Sequence, residues 1–212
     1  RGIEDKIGER IKEYGAHRVL VHFGGASARS SGLLDRVEHS LFDAGLSFVE
    51  LGGVSPNPKI SLVRKGVALC RREGLDFVLA VGGGSVIDCA KFISLGSGLG
   101  EDEDLWYDYV ETGKPAPENL VPLGVVLTTA ATGSEMDNGG VITNIETKDK
   151  IGRGYPCMQP KVSFLDPTET YSVGRYQTAC GCADILSHLL EIYFVRSEER
   201  RVGKECRSRW SP

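Results

Sequence analysis

The sequence predicts an α/β fold built around a mostly parallel β-sheet. Short apolar runs of strand length alternate with segments of helical periodicity about ten to fifteen residues long, which is the pattern of βαβ units. Glycine-rich turns follow three of the apolar runs. Of the 212 residues, 41% are hydrophobic and 25% are charged, an ordinary globular composition that excludes a disordered chain, a collagen and a coiled coil.

Hydrophobic periodicity assigns an element to most of the first half of the chain. Ile3, Ile7 and Ile11 recur at helical spacing, and the apolar run Arg18–Phe23 ends at two glycines, as a buried strand does. The predicted elements are a helix over 3–14, a strand over 18–23, a helix over 32–44, a strand over 46–51, a helix over 59–73, a strand over 76–81 and a helix over 86–95.

The second half of the chain alternates less regularly. A strand is predicted over 121–127 and a short one over 163–165, and the stretch 97–120, rich in Gly, Glu and Pro, is expected to be a surface loop. From about residue 171 the pattern becomes helical, with a strongly apolar helix over 177–194. We therefore expect a second, helical domain to begin there.

Charge and cysteine usage limit the classes of partner. The net charge is −4, but the last seventeen residues carry six basic and three acidic side chains, which leaves 19 basic and 26 acidic residues on the remainder. An acidic body argues against nucleic acid as a partner. No apolar run is long enough to cross a bilayer, so no membrane partner is expected. The six cysteines form no CxxC pair, which favours free thiols in a cytoplasmic protein.

The glycine turns are the first candidates for a ligand site. In an open α/β sheet, ligands bind beyond the carboxyl ends of the strands, where glycines let backbone N–H groups approach a phosphate. The second turn has neither the GxGxxG nor the GxxxxGK[ST] pattern, and Ser85 with Asp88 also fits a helix capping box. Binding and capping both remain open. The three turns cover residues 23–27, 81–88 and 128–135.

Asp184 and His188 are the candidate metal ligands. Four residues apart on a helix, they share one face, and a carboxylate and an imidazole placed in this way can bind one divalent metal ion. The alternative is a surface ion pair. Glu191, one turn further, is either a supporting partner of His188 or a solvated charge. Cys180 and Cys182 make a weaker soft-metal pair.

Four segments together resemble the iron-containing (group III) alcohol dehydrogenases, and the butanol dehydrogenase-like branch in particular. The resemblance covers about residues 5–195 and keeps the family's motif order. The segments are GGGSVIDCAK, TTAATGSEMDNGGVIT, SFLDPTET and QTACGCADILSHLLEIYF.

The resemblance implies a dehydroquinate synthase-like architecture. Residues 1–170 would form a Rossmann-like, parallel-sheet dinucleotide-binding domain, and residues 171–195 the first helix of an all-helical metal-binding domain. Residues 196–212 match nothing in the family, so we expect either a C-terminally truncated chain with a foreign end or a basic tail that contacts a partner.

The resemblance also implies the activity and the site. The family transfers hydride between NAD(P)(H) and a primary alcohol or an aldehyde, and a homo-oligomer is possible. Asp184 and His188 would be two of four ligands to Fe or Zn. The family supplies the other two, both histidines, from later helices, and this chain has no histidine after His188. Residues expected at the cofactor are Gly25 and Ser27 at the adenosine ribose, Asn57 near the adenine, Gly83, Gly84, Ser85 and Asp88 on the pyrophosphate and nicotinamide side, and Thr128, Asp137, Gly139 and Lys150 in the rest of the cleft.

Three further expectations follow from the resemblance. The chain alone should be inactive, because two metal ligands are missing from it. NADP(H) should be preferred, since the first turn lacks an acid and Ser27 and Arg29 could meet a 2′-phosphate. Gly83 should tolerate no side chain. The alternatives are a polyol dehydrogenase or a dehydroquinate synthase-like lyase of the same superfamily, and a catalytically dead nucleotide-binding fragment.

Overall fold

The computed structural model describes residues 2–25, 27–117 and 120–194. The predicted tail 196–212 therefore lies outside the described residues. Within them, six α-helices and seven strands follow in the order α1 Ile7–Lys12, β1 Arg18–Phe23, α2 Ser27–Ser30, α3 Leu33–Asp43, β2 Ser47–Leu51, α4 Ile60–Glu73, β3 Phe77–Gly82, α5 Gly84–Ser97, β4 Leu123–Leu127, β5 Gly139–Asn144, β6 Asp149–Gly154, β7 Val162–Leu165 and α6 Arg175–Phe194.

Five strands form one parallel sheet in the order β2-β1-β3-β4-β7. Strand β3 is buried along its whole length, as a central strand covered on both faces must be. Because all five strands run the same way, their carboxyl ends meet at one edge of the sheet, and the turns after β1, β3 and β4 lie side by side there. The predicted Rossmann-like α/β class is confirmed.

Helices cover both faces of the sheet. One apolar cluster joins α4 and α5 to the side chains of Val78, Ala80 and Val125, and a second joins α1 and α3 to the opposite face. Alternate residues of a strand point to opposite faces, so β1, β2, β3 and β4 contribute to both clusters, whereas β7 contributes Val162 and Phe164 to the second. The result is a three-layer sandwich with its glycine turns exposed at one edge.

Two parts of the fold differ from the sequence-based expectation. The stretch 97–120 is not only a surface loop, because it contains a π-helical segment, Leu105–Glu111, whose Trp106 and Tyr109 are buried. The third glycine turn leads into a β-hairpin, β5 and β6, in a stretch to which the sequence analysis assigned no element. Gly139, Gly140, Gly152 and Gly154 weaken the alternating strand pattern there, which is why periodicity missed the hairpin.

Helix α6 extends from the sandwich with little cover. None of its twenty residues is buried, and the side chains of Leu186, Leu189 and Ile192 are more than half exposed. It approaches the sheet region at Gly181, where an added Cβ would lie 2.8 Å from the carbonyl oxygen of Ala130. No helix in the described ranges combines the length and apolar character needed to cross a bilayer.

Candidate functional site

The turn between β3 and α5 forms the centre of the site. Gly83 precedes the helix in an ordinary extended conformation, with φ −95° and ψ −170°. Val86 and Ile87 donate to its carbonyl oxygen, so the N–H groups of Gly84 and Ser85 are left over at the helix N-terminus. Such N–H groups, together with the helix dipole, form an anion-binding site.

The three glycines of this turn differ in how much space surrounds them. A Cβ on Gly82 would lie 2.6 Å from Val86 Cγ2, so Gly82 is required by packing. A Cβ on Gly83 would lie 3.4 Å from Thr129 Cβ, and one on Gly84 would lie 3.8 Å from Thr132 Oγ1, both ordinary contacts. The protein itself therefore leaves space above Gly83 and Gly84.

Asp88 connects this turn to the third one, and of the two alternatives left open for Ser85 and Asp88 the structure does not show the capping box. Ser85 makes no capping hydrogen bond, because Gly83 is the N-cap residue. Asp88 Oδ1 accepts a hydrogen bond from Ser134 Oγ, and its Oδ2 accepts one from the Val141 N–H at 2.9 Å. Burial raises the pKa of Asp88, and these hydrogen bonds act in the opposite direction.

An ion pair with one buried partner lies one helical turn further along α5. Lys91 is fully buried, and its Nζ donates to Asp137 Oδ1 at 2.5 Å and to the Gly139 carbonyl oxygen at 2.6 Å. The Gly139 N–H also donates to Asp137 Oδ1, at 3.0 Å. The Asp137 side chain is 51% exposed, so one partner of the pair is deep in the protein and the other faces solvent.

Two cavities flank the turn. The first, which we call the serine–threonine cavity, has a volume of about 210 Å³, and the second, the His188 cavity, has a volume of about 500 Å³. The first includes Thr129, next to Gly83, and the second includes Thr132, next to Gly84. The polar residues that define them are Ser27, Ser31, Thr128, Glu169 and Ser172 for the first, and Asp88, Ser134, Asp137, Arg153 and His188 for the second.

Asp184 and His188 face the same way on α6, as predicted. Their Oδ1 and Nε2 atoms are 3.8 Å apart, and both side chains are partly exposed. Among the described residues, no group of three or more His, Cys, Asp or Glu side chains could hold a metal ion. In this part of the chain the two residues alone would provide fewer donors than the four that are usual at a zinc site.

The other predicted residues do not all lie in one place. Ser27 and Thr128 share the serine–threonine cavity, whereas Asp88, Asp137 and Gly139 line the His188 cavity. Asn57 and Lys150 lie apart from both linings but contact each other, with Lys150 Nζ donating to Asn57 Oδ1 at 2.7 Å. Asn57 adopts a left-handed conformation, with φ +59°.

Arg29, expected to meet a 2′-phosphate, already has an acidic partner. Its guanidinium donates to Glu50 at the end of β2 and lies 5.5 Å from the centre of the Phe23 ring. Burial and the nearby Glu50 raise the pKa of Glu38, in contact with the same pair. An acid is therefore present beside the first turn after all, from a different strand, and the argument for NADP(H) loses its basis.

Sequence reasoning missed Lys91, Ser134 and Glu50. The sequence does contain an indication that Lys91 is unusual, because it is the single charged residue between Asp88 and the helix end in an otherwise apolar segment. A charge in such a place is tolerated only with a partner. The sequence gives no such indication for Glu50 and Ser134, since their hydrogen-bond partners lie 21 and 46 residues away in sequence.

Proteins of known function are similar to most of this chain. The chain is 50% identical over 194 residues to the probable NADH-dependent butanol dehydrogenase 1 of Bacillus subtilis (strain 168), an alignment that covers 92% of this chain and 49% of that protein. It is 37% identical over 185 residues to the NADPH-dependent aldehyde reductase YqhD of Escherichia coli (strain K12), covering 87% of this chain and 47% of that protein.

A solved structure matches to a similar extent. The NADH-dependent butanol dehydrogenase A of Thermotoga maritima superposes with a TM-score of 0.86 at 42% identity, over 92% of this chain and 48% of that one. The chain thus spans about half the length of the curated relatives it matches. The family model for iron-containing alcohol dehydrogenases matches residues 1–167. The chain belongs to the iron-containing alcohol dehydrogenase family.

Proposed function

We propose that this chain is the cofactor-binding half of a divalent-metal-dependent alcohol dehydrogenase or aldehyde reductase. The reaction is hydride transfer between NAD(P)(H) and a small primary alcohol or aldehyde, of the butanol and butanal class. The observation that carries the proposal is the exposed glycine turn between two cavities, one of which is lined by His188.

A dinucleotide fits this arrangement in one direction. Its pyrophosphate would lie over Gly83 and Gly84, where an added Cβ meets little and two helix N–H groups are left over. The adenosine half would occupy the serine–threonine cavity, and the nicotinamide half the His188 cavity. The second assignment follows from the chemistry, because hydride transfer requires the nicotinamide beside the substrate, and His188 marks the substrate side.

The residues of this chain would bind and orient the cofactor. Backbone N–H groups of Gly84 and Ser85 would hold the phosphates, and Asp137 would accept a hydrogen bond from the nicotinamide half. When bound, the nicotinamide supplies or accepts the hydride. Asp184 and His188 would contribute two donors to Fe or Zn, whose role in the family's chemistry is to polarise the substrate oxygen.

Domain organisation follows the same division. We propose residues 1–170 as the dinucleotide-binding domain and residues 171–195 as the first helix of a metal-binding domain. The support is the contrast in burial between the sheet region and α6. Both NADH- and NADPH-dependent relatives are found, so the proposal includes either cofactor.

A second candidate function is a nucleotide-binding module without turnover. It is favoured by one observation, the incomplete metal site among the described residues. The two proposals agree on cofactor binding by this chain and differ on catalysis.

Titration with NADH and NADPH, followed by nucleotide fluorescence, tests the binding that both proposals require. We expect saturable binding to the 212-residue chain and loss of it in Gly83→Val, whose side chain would stand between the helix N–H groups and the pyrophosphate. Gly100→Val is the matched control, because Gly100 is exposed and follows α5 at the opposite edge of the sheet. Equal binding by wild type and Gly83→Val, with both folded by circular dichroism, would place the phosphates elsewhere.

A further inference from the structure

We infer that Lys91 is a positioning residue that balances the charge of Asp137 beside the nicotinamide, and that this pair sets the preference between oxidised and reduced cofactor. The inference rests on the proposed function for the location of the nicotinamide. The pair itself is a feature of the structure alone, formed by a buried ammonium group and a half-exposed carboxylate.

Lys91 is buried although its side chain is charged, and its hydrogen-bond partners explain why. Helix α5 is buried on nearly all sides from Val86 to Gly96, and Lys91 is its one charged residue without solvent exposure. Moving an ammonium group out of water is costly, and a hydrophobic residue would pack there at lower cost. The group donates to both Asp137 and the Gly139 carbonyl, so it fixes the end of the third turn where the hairpin begins.

Asp137 is held so that it faces the His188 cavity. Its Oδ1 receives Lys91 and the Gly139 N–H, and its side chain remains half exposed on the cavity wall. The other acid there, Asp88, has both oxygens engaged. Arg153 also lines the cavity, but its guanidinium is already engaged, since its Nε and Nη2 donate to the carbonyl oxygens of Val110 and Glu111. Asp137 is therefore the acid best placed to act on a ligand.

The charge balance has a specific consequence for a nicotinamide cofactor. The oxidised ring carries one positive charge more than the reduced ring. A lone carboxylate beside it would favour the oxidised form, and a lone ammonium group would favour the reduced form. With Lys91 and Asp137 paired, the two effects oppose each other, so neither form is strongly selected.

The test is the ratio of the dissociation constants for NADH and NAD⁺, measured by calorimetry on the metal-free 212-residue chain in the presence of a chelator. Lys91→Met should raise this ratio about tenfold, because Asp137 is then uncompensated, and Asp137→Asn should lower it by a similar factor. The double variant should return close to the wild-type ratio. A purely structural role would weaken the binding of both forms together and leave the ratio unchanged.

The control is a charge removed far from the proposed site, and the results that would overturn the inference can be told apart from those that would overturn the proposed function. Arg72→Gln removes one positive charge from the exposed end of α4, at the amino-terminal edge of the sheet, and should not alter the ratio. If Lys91→Met does not fold, Asp137→Asn alone decides the question, because Asp137 is half exposed. Ratios within twofold of wild type, or shifts in the same direction, would overturn the inference. Absence of binding by the wild-type chain would instead overturn the proposed function.

Discussion

Helices α5 and α6 are both rich in apolar residues, but they have opposite environments. Ten of the fourteen residues of α5 are buried, and none of the twenty residues of α6 is. Helix α5 lies against β3, β5 and α4, whereas α6 approaches the sheet region through Gly181. An apolar helix face is stable only when another part of the protein covers it, and the sequence pattern of the helix does not show what that part is.

The difference extends to the chemistry. The charged groups associated with α5, Asp88 and Lys91, each have fixed partners within the sheet region. Asp184 and His188 on α6 are partly exposed and contact each other only at 3.8 Å. The cofactor side of the proposed site is thus preorganised, and the metal side is not. The following predictions test this contrast in order of decreasing effect.

The largest expected effect concerns catalysis. With zinc or ferrous iron, butanal and either NADH or NADPH, we expect the 212-residue chain to turn over at least about a thousandfold more slowly than an intact relative, because two donors leave the metal short of ligands. Oxidation of the reduced cofactor, followed by absorbance, measures this. Turnover close to that of the relative, abolished by Asp184→Ala, would show that the metal is completed by other groups.

Matched leucines on the two helices should differ strongly in their contribution to stability. Leu95 on α5 is fully buried, and Leu189 on α6 is 60% exposed. Leu95→Ala should lower the free energy of unfolding by about 3 kcal/mol through lost burial and a cavity, and Leu189→Ala by less than about 0.5 kcal/mol. Urea unfolding gives both values. A comparable loss in the two variants would mean that α6 is packed against something in solution.

Two histidines allow the same contrast to be tested by pH. Burial lowers the pKa of His22 to about 4, although its Nδ1 bonds to the Leu51 carbonyl oxygen. The unfolded state takes up a proton near pH 6.5 and the folded state only near pH 4, so stability is complete above pH 6.5 and falls as pH decreases between these values. Between pH 7 and pH 5 the loss from this group should be about 2 kcal/mol.

Urea unfolding at pH 7 and pH 5 measures that loss. We expect His22→Gln to remove most of the dependence in this window, and His188→Gln, at a partly exposed position on α6, to leave it unchanged. An identical pH dependence in wild type and His22→Gln would rule out His22 as its source.

Helical glycines provide a smaller effect. A Cβ at Gly96 of α5 would lie 2.5 Å from Val67 Cγ2, and one at Gly181 of α6 would lie 2.8 Å from the Ala130 carbonyl oxygen. Alanine raises helix propensity by about 1 kcal/mol at either position. Gly96→Ala should nevertheless be destabilising by about 1–2 kcal/mol from overpacking, whereas α6 can move away and Gly181→Ala should be neutral or slightly stabilising. Thermal unfolding of both variants decides this.

The smallest effect is expected at the other preorganised pair, Arg29 and Glu50. Glu50→Gln would release the guanidinium from its carboxylate, and the affinity for NADPH relative to NADH should rise about threefold, as expected for a partly exposed ion pair. Glu101→Gln, at an exposed position beyond the C-terminus of α5, serves as the control for net charge. An unchanged ratio in Glu50→Gln would mean that Arg29 does not reach the cofactor.

Hydrophobic periodicity and the positions of the glycines were enough to predict most of the architecture. The strand predicted over 18–23 is β1, and the helix predicted over 59–73 is α4, which ends at Gly74 in a left-handed conformation. Local patterns of this kind depend on near neighbours and can be recognised without knowing the rest of the fold. The i, i+4 relation of Asp184 and His188 was likewise readable, because helical geometry fixes it.

Only the tertiary structure decided what the polar groups do. Asp88 fits a capping box on sequence grounds, but in the folded chain it binds Ser134 and Val141, 46 and 53 residues away. Arg29 pairs with Glu50, which lies on a neighbouring strand. Lys91 pairs with Asp137, which lies 46 residues further along the chain. A hydrogen bond requires two groups to meet, and which distant groups meet is set by strand order and helix packing, which hydrophobic periodicity does not encode.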